Sequence, residues 1–174
     1  MRKILLSLWA IALLLLISIN PANGQANFQP GQFGINAGLS YGLDLEEPGL
    51  RAGFTYFLGE STRLGADLTY WIIEDKWVME EELSSTGMEI NANLHFLFHK
   101  GRNLIFYAIG AGGLHYASVS GDLPELDTSD SEFGFGLGPG AEFNMGFISI
   151  FAEGKVFFSG FDQIKLNGGV RLYL

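Results

Sequence analysis

The chain has no cysteine among its 174 residues. It can therefore form no disulfide framework and no thiolate-based catalytic or metal site. It also offers no cysteine that could carry a lipid anchor after an export signal. Positive charge is scarce too, with 10 Lys and Arg against 19 Asp and Glu. This acidic balance argues against nucleic-acid binding and against electrostatic docking on anionic lipid.

The amino terminus has the pattern of an export signal. Residues 1–3 carry positive charge, residues 4–19 are almost wholly apolar, and Ala22-Asn23-Gly24 suits signal-peptidase cleavage before Gln25. An uncleaved transmembrane anchor is the alternative, because the apolar run approaches bilayer-spanning length. We predict a cleaved N-terminal signal helix over residues 1–24 and one domain over residues 25–174. Losing two positive charges with the signal takes the formal net charge from −9 to −11.

Beyond residue 24 the dominant pattern is an alternation of period two, which recurs about eight times. Side chains alternate across a strand, so each segment has one apolar face and one face rich in Gly, Asn, Thr and Ser. Pro139 interrupts the sixth segment and predicts a kink or bulge there. The predicted strands cover roughly residues 32–41, 49–58, 62–73, 87–98, 103–118, 132–143, 147–158 and 164–174.

The last segment, residues 164–174, shows the alternation most clearly. Its even positions are apolar apart from Gly168, whereas its odd positions include Lys165, Asn167, Arg171 and Tyr173. A strand at the end of a chain needs a partner on each edge, because an open edge promotes aggregation. We expect this segment to pair with the first strand and so to close a barrel.

Connection lengths also favour a barrel. Long connections at residues 42–48, 74–86 and 119–131 alternate with short ones at 59–61, 99–102 and 144–146, and the last link, 159–163, is short for its side. Short periplasmic turns and long outer loops are typical of outer-membrane barrels. The predicted fold is all-β, an eight-stranded antiparallel up-and-down transmembrane β-barrel.

The polar face decides which side meets lipid. In a secreted soluble barrel that carries an apolar small molecule, this face would meet water, and such surfaces are usually about 25–35% charged. Here it is mostly small and uncharged, as the narrow lumen of eight strands requires. Four cations and four anions lie on it, and we predict that they form a structural lumen ion-pair network: Arg51, Lys155, Lys165 and Arg171 with Asp67, Glu89, Glu142 and Glu153.

Aromatic residues cluster near the predicted strand ends, which is consistent with two interfacial girdles. They are Tyr41, Tyr70 and Trp71 toward the outside, and Tyr56, Phe96, Phe98, Tyr107, Phe143 and Tyr173 toward the periplasm.

The chain at this point resembles the small outer-membrane β-barrel proteins of Gram-negative bacteria, such as OmpX and the transmembrane domain of OmpA. The resemblance covers about residues 32–174 and rests on the signal, the eight segments, the Gly-aromatic run at residues 106–112 and the terminal residues 169–174. It implies residence in the cell outer membrane, contact with lipid and lipopolysaccharide, and insertion by the barrel-assembly machinery. That machinery recognises a C-terminal strand whose last residue is usually Phe. In this chain the last residue is Leu174.

Catalytic patterns are weak. A lipid A-modifying enzyme of this kind would need a His–Ser pair, but the spacing of His115 and Ser118 puts them on opposite faces of a strand. We expect His95 to make lumen hydrogen bonds, with His99 joining it at the turn, and predict no cofactor or metal site. Acidic outer loops are the main surface feature: Asp44, Glu46, Glu47, Glu74, Asp75, Glu80, Glu81, Glu82, Asp122, Glu125, Asp127 and Asp130.

The favoured function is therefore non-enzymatic. We expect a monomer with a structural or surface-interacting role through the acidic extracellular loops. The alternatives are the soluble ligand-carrying barrel and, third, the lipid A-modifying enzyme. The pattern does not identify the loop partner.

Overall fold

A computed structural model describes residues 29–73, 76–78, 81–120, 128–158 and 161–174. The predicted signal peptide and its cleavage site lie outside these ranges. The strands are β1 (Phe33–Gly42), β2 (Glu47–Gly59), β3 (Thr62–Trp71), β4 (Lys76–Val78), β5 (Glu81–Lys100), β6 (Leu104–Ser120), β7 (Thr128–Asn144), β8 (Ile148–Phe158) and β9 (Gln163–Tyr173). Within the described ranges, no helix is long and apolar enough to cross a membrane.

Eight of these strands form a closed antiparallel barrel. Neighbours in sequence pair with one another, β3 pairs with β5, and β9 pairs with β1 from Gly34 opposite Tyr173 to Gly42 opposite Lys165. The terminal strand therefore has a partner on each edge, as the sequence predicts. The predicted eight-stranded barrel is confirmed.

The outer connection between β3 and β5 differs from the prediction. Residues 74–86 were expected to form a loop, but β4 pairs with the start of β5, with Lys76 opposite Leu83 and Val78 opposite Glu81. A hairpin that continues beyond the apolar region needs no alternation of apolar and polar residues, so its sequence gives little signal. The predicted loop at 119–131 is also shorter, since β6 ends at Ser120 and β7 begins at Thr128.

Pro139 interrupts one ladder without inserting a residue. β7 pairs with β8 at Leu137 opposite Val156 and again at Gly140 opposite Glu153, and the register is the same on both sides of the gap. On the other side, Pro139 remains paired with Ala108 of β6. Proline lacks the N–H that a central strand donates, so the ladder opens locally. The predicted bulge is absent at this position.

The apolar face of the alternation points outward, as predicted. On β9, for example, Ile164, Leu166 and Val170 are exposed, whereas Lys165, Asn167 and Arg171 are buried in the lumen. The same division holds along β1 and β2. Charged side chains therefore lie inside the barrel and apolar ones cover its outer wall.

Candidate functional site: the charged lumen

The middle of the lumen is organised around Asp67 on β3. Arg51 from β2 donates to its carboxylate at 2.9 Å, and Lys155 from β8 lies 3.5 Å from the same oxygen. Asn93 on β5 donates to Asp67 at 2.6 Å and accepts from Lys155 at 2.5 Å. Arg51 also lies 3.1 Å from Glu153. Two cations and two anions from β2, β3 and β8 therefore meet in this layer, together with Asn93 from β5.

Among the described residues, one ion pair lies in the outer part of the lumen. Lys165 on β9 bonds to Glu89 on β5, and both side chains are fully buried. Asn91 joins this pair to the middle layer, because its amide donates to Glu89 at 2.8 Å and to Asp67 at 3.0 Å. The Lys165 ammonium also lies 5.2 Å from the Phe157 ring centre, which permits a cation–π contact.

The part of the lumen near the short turns is organised around Glu142 on β7. Arg171 bonds to one carboxylate oxygen, and Arg63 lies 2.8 Å from the same oxygen. The Tyr173 hydroxyl donates to the other oxygen and accepts from Arg63 at 2.8 Å. Arg171 also lies 3.5 Å from Glu153, so this layer connects with the middle one.

Arg63 is the charged residue that the sequence analysis missed. It is fully buried, donates from Nε to His95 Nδ1 at 2.7 Å, and lies 4.4 Å from the Tyr107 ring centre. Its parity on β3 matches that of Asp67, and this signal could have found it. The lumen that the structure describes holds five cations and four anions, so the predicted balance of four against four is wrong.

The eight predicted network residues all lie buried in the lumen, and each takes part in at least one ion pair. They come from six strands, and ion-pair partners can lie far apart in sequence, as Asp67 and Lys155 do at 88 residues and Arg51 and Glu153 do at a still greater separation. Which cation meets which anion depends on the stagger of the strands, which alternation does not reveal.

Three aromatic residues were wrongly placed in the lipid-facing girdles. Trp71, Tyr107 and Tyr173 are buried in the lumen, where Tyr107 donates to Glu153 at 2.9 Å. Trp71 and Tyr173 share the odd parity of the charged residues on their strands, whereas Tyr107 shares that of the buried Ile105 and Ile109 on β6. Tyr41, Tyr70, Tyr56, Phe96 and Phe98 are exposed on the outer wall, and Phe143 is partly exposed.

Apolar side chains close the lumen at the end with the short turns. The buried cluster there consists of Phe57, Leu97, Ile105, Tyr107, Ile109 and Tyr173. Toward the other end, Trp71 and Phe157 are almost fully buried beside Lys165. The charged layers therefore lie between two groups of tightly packed side chains.

The three histidines have different surroundings in the described part of the chain. His115 is half-buried and packs on the Phe161 ring at 5.0 Å, whereas Ser118 lies three residues on along a regularly paired part of β6. His99 is exposed, because an irregularity between Leu97 and His99 ends the alternation. The expectation that it joins His95 in the lumen is wrong. Among the described side chains, no group of three His, Asp or Glu could hold a metal ion.

Comparison with known proteins identifies the barrel. Residues 10–158 match the family described as outer membrane protein beta-barrel domain. The chain belongs to this family. As a family member with apolar residues on its outer wall, it is a protein of the cell outer membrane, in contact with lipid and lipopolysaccharide.

Solved outer-membrane barrels have the same fold. The N-terminal β-barrel domain of Pseudomonas aeruginosa OprF is 14% identical with a TM-score of 0.63, and the match covers 84% of this chain and 98% of that one. Neisserial surface protein A is 18% identical with a TM-score of 0.59, covering 81% and 94%. Ail, the attachment invasion locus protein of Yersinia pestis, is 15% identical with a TM-score of 0.57, covering 83% and 100%. No curated protein matches the sequence.

Proposed function

We propose that this outer-membrane barrel is a non-enzymatic scaffold that acts through its outer strands and acidic loops. The observation that carries the proposal is the packing of the lumen. Arg63, Glu89, Glu142, Lys155, Lys165 and Arg171 have essentially no exposed surface, although they lie inside the barrel. A lumen filled in this way holds the strands in place and leaves the outer face as the surface available for interaction.

Different observations oppose the two alternative functions, the soluble ligand-carrying barrel and the lipid A-modifying enzyme. A soluble barrel that carries an apolar molecule needs an apolar interior, whereas this interior is charged and the apolar residues lie outside. The family match also contradicts it. A lipid A-modifying enzyme needs a base beside a nucleophile, and the strand parity of His115 and Ser118 opposes such a pair.

The proposal extends to partners. A barrel of this type is expected to reach the membrane through the barrel-assembly machinery, and its terminal strand β9 offers the alternating pattern for recognition. Pairing of β9 with β1 leaves neither terminal strand with an unpaired edge along this seam, which supports a monomer in the membrane.

Two measurements test this function. In planar bilayers the purified protein should give no discrete channels, with a general porin as positive control. Mass spectra of lipid A from cells with and without the protein should be identical, with the His115→Ala variant as a matched sample. Stepwise conductance would contradict the sealed lumen, and a new lipid A mass that disappears with His115→Ala would contradict the non-enzymatic role.

A further inference from the structure

The outer end of β7 has an open edge. β6 pairs with β7 as far as Val119 opposite Thr128, but the pairing of β7 with β8 begins only at Phe135 opposite Phe158. In the same register Glu132 and Ser131 would face Phe161 and Asp162, which lie outside any strand. Among the described residues, Thr128–Glu132 therefore pair on one side alone. This segment is the outer β7 edge.

The edge extends outside the apolar region of the membrane. Phe133 is the last apolar side chain on the outward face of β7, and Ser131 and Ser129 follow it on the same face. Residues 128–133 are all exposed. At about 3.4 Å per residue, the part beyond Phe133 is about 17 Å long, which is enough to pair with another strand.

The backbone hydrogen bonds show which groups face outward. The Ser131 N–H donates to its neighbouring side chain, Asp130 Oδ1, at 2.8 Å, and so points away from β6. Residues in an antiparallel ladder direct their N–H and C=O groups alternately to the two sides. The backbone groups of Ser129 therefore face the open edge as well, and the Asp130 carboxylate already occupies the Ser131 N–H.

The acidic side chains of this edge lie on one face of the strand. Asp130 and Glu132 share one face of β7, two residues apart, and both are exposed. Residues directly opposite on neighbouring strands interact, and like charges there are destabilising. The acidic pair therefore opposes pairing with the same edge of a second copy and favours a strand with Lys or Arg at alternate positions.

We propose that the outer β7 edge binds an extended basic protein segment by strand addition. Backbone groups of Ser129 and Ser131 pair with the added strand, and alternate Lys or Arg side chains meet Asp130 and Glu132. The Asp130 carboxylate leaves the Ser131 N–H and accepts from the incoming cation instead. This inference rests on the proposed surface-interacting function and names its partner class.

The test uses the full barrel in lipid nanodiscs and two synthetic peptides of equal length and charge. One alternates Thr and Lys, and the other places its lysines in a block followed by threonines. We expect the alternating peptide to bind, and to bind at least about fivefold more tightly than the block peptide at 0.15 M salt. Absence of binding, or equal binding of both peptides, would overturn the proposal.

Three variants and one control variant separate strand addition from simple electrostatic attraction. Ser131→Pro removes an outward N–H without removing a bond to β6, and should abolish binding of the alternating peptide. Asp130→Asn and Glu132→Gln should each weaken it roughly two- to fivefold. Glu60→Gln, the same charge change at the opposite end of the barrel, should have no effect. If Ser131→Pro binds the alternating peptide unchanged, strand addition at the outer β7 edge is refuted. If Glu60→Gln weakens binding as much as Asp130→Asn or Glu132→Gln does, the acidic pair is not the binding site. Channel formation or lipid A modification, measured separately, would overturn the proposed function instead.

Discussion

Lys155 and Lys165 lie directly opposite each other on β8 and β9, and both side chains are fully buried. Like charges in this position repel unless each has its own partner. Lys155 is held by Asp67 and Asn93, whereas Lys165 is held by Glu89. Asp67 on β3 and Glu89 on β5 therefore allow the two lysines to lie side by side on β8 and β9.

Glu89→Gln should destabilise the folded barrel by about 3–5 kcal/mol, because it leaves Lys165 buried and unpaired beside Lys155. Urea unfolding in phospholipid vesicles measures the loss. The double variant Glu89→Leu, Lys165→Met should recover most of the stability, since it removes both charges. A single variant as stable as the original protein, or a double variant less stable than the single one, would show that this pair does not govern stability.

Glu153→Leu should also destabilise the barrel strongly. Glu153 lies 3.1 Å from Arg51 and 3.5 Å from Arg171, and both guanidinium groups lose a partner in the variant. The control is Tyr107→Phe, which removes only one hydrogen bond to the same carboxylate and should cost about 1 kcal/mol. Equal midpoints for both variants in urea would mean that the charge of Glu153 contributes nothing.

Arg63 and Arg171 share Glu142, but their losses should differ. Arg171→Met removes ion pairs to two carboxylates, Glu142 and Glu153. Arg63→Met leaves Glu142 paired with Arg171 and makes the described charges equal in number. We therefore expect Arg171→Met to lower the free energy of unfolding more than Arg63→Met does. The reverse order in parallel urea titrations would contradict the assignment of Arg63 as the excess cation.

Alternation made the barrel predictable from sequence, because period two assigns each residue of a regular strand to lipid or lumen. The same rule would have placed Arg63, Trp71 and Tyr173 in the lumen. They were missed because Arg63 is the second residue of its strand and the two aromatics were interpreted from their position near strand ends. Tyr107 differs, because both faces of β6 are apolar around it and alternation gives no direction there.

Other features had no sequence signal. The irregularity after Leu97 turns His99 outward, and the continuation of β5 to Glu81 lies in a segment without clear alternation. The ion pairs required the relative stagger of strands distant in sequence. For instance, Lys165 and Glu89 are 76 residues apart.

A glycine contact at the β1–β9 seam gives a further prediction. A Cβ on Gly38 would collide with the backbone of Gly168 and Gly169, whereas a Cβ on Gly110 of β6 would meet only the Leu137 side chain at 4.0 Å. Gly38→Ala should therefore reduce the yield of folded barrel in outer-membrane fractions, and Gly110→Ala should not. Equal yields of heat-modifiable protein on gels would show that the seam tolerates the methyl group.

The central claim is that β9 closes the barrel against β1 in the outer membrane. Ala37 and Val170 are directly opposite across this seam, and both side chains face outward. The chain has no native cysteine, so Ala37→Cys with Val170→Cys introduces only one possible intramolecular disulfide. Ala37→Cys with Ala92→Cys on β5 is the control pair.

The decisive measurement is the reductant-sensitive gel mobility of both double variants, isolated from outer membranes and then unfolded. The barrel predicts a disulfide in the Ala37→Cys, Val170→Cys protein and none in the control. No cross-link across the seam, or equal cross-linking in both proteins, would contradict the closed barrel.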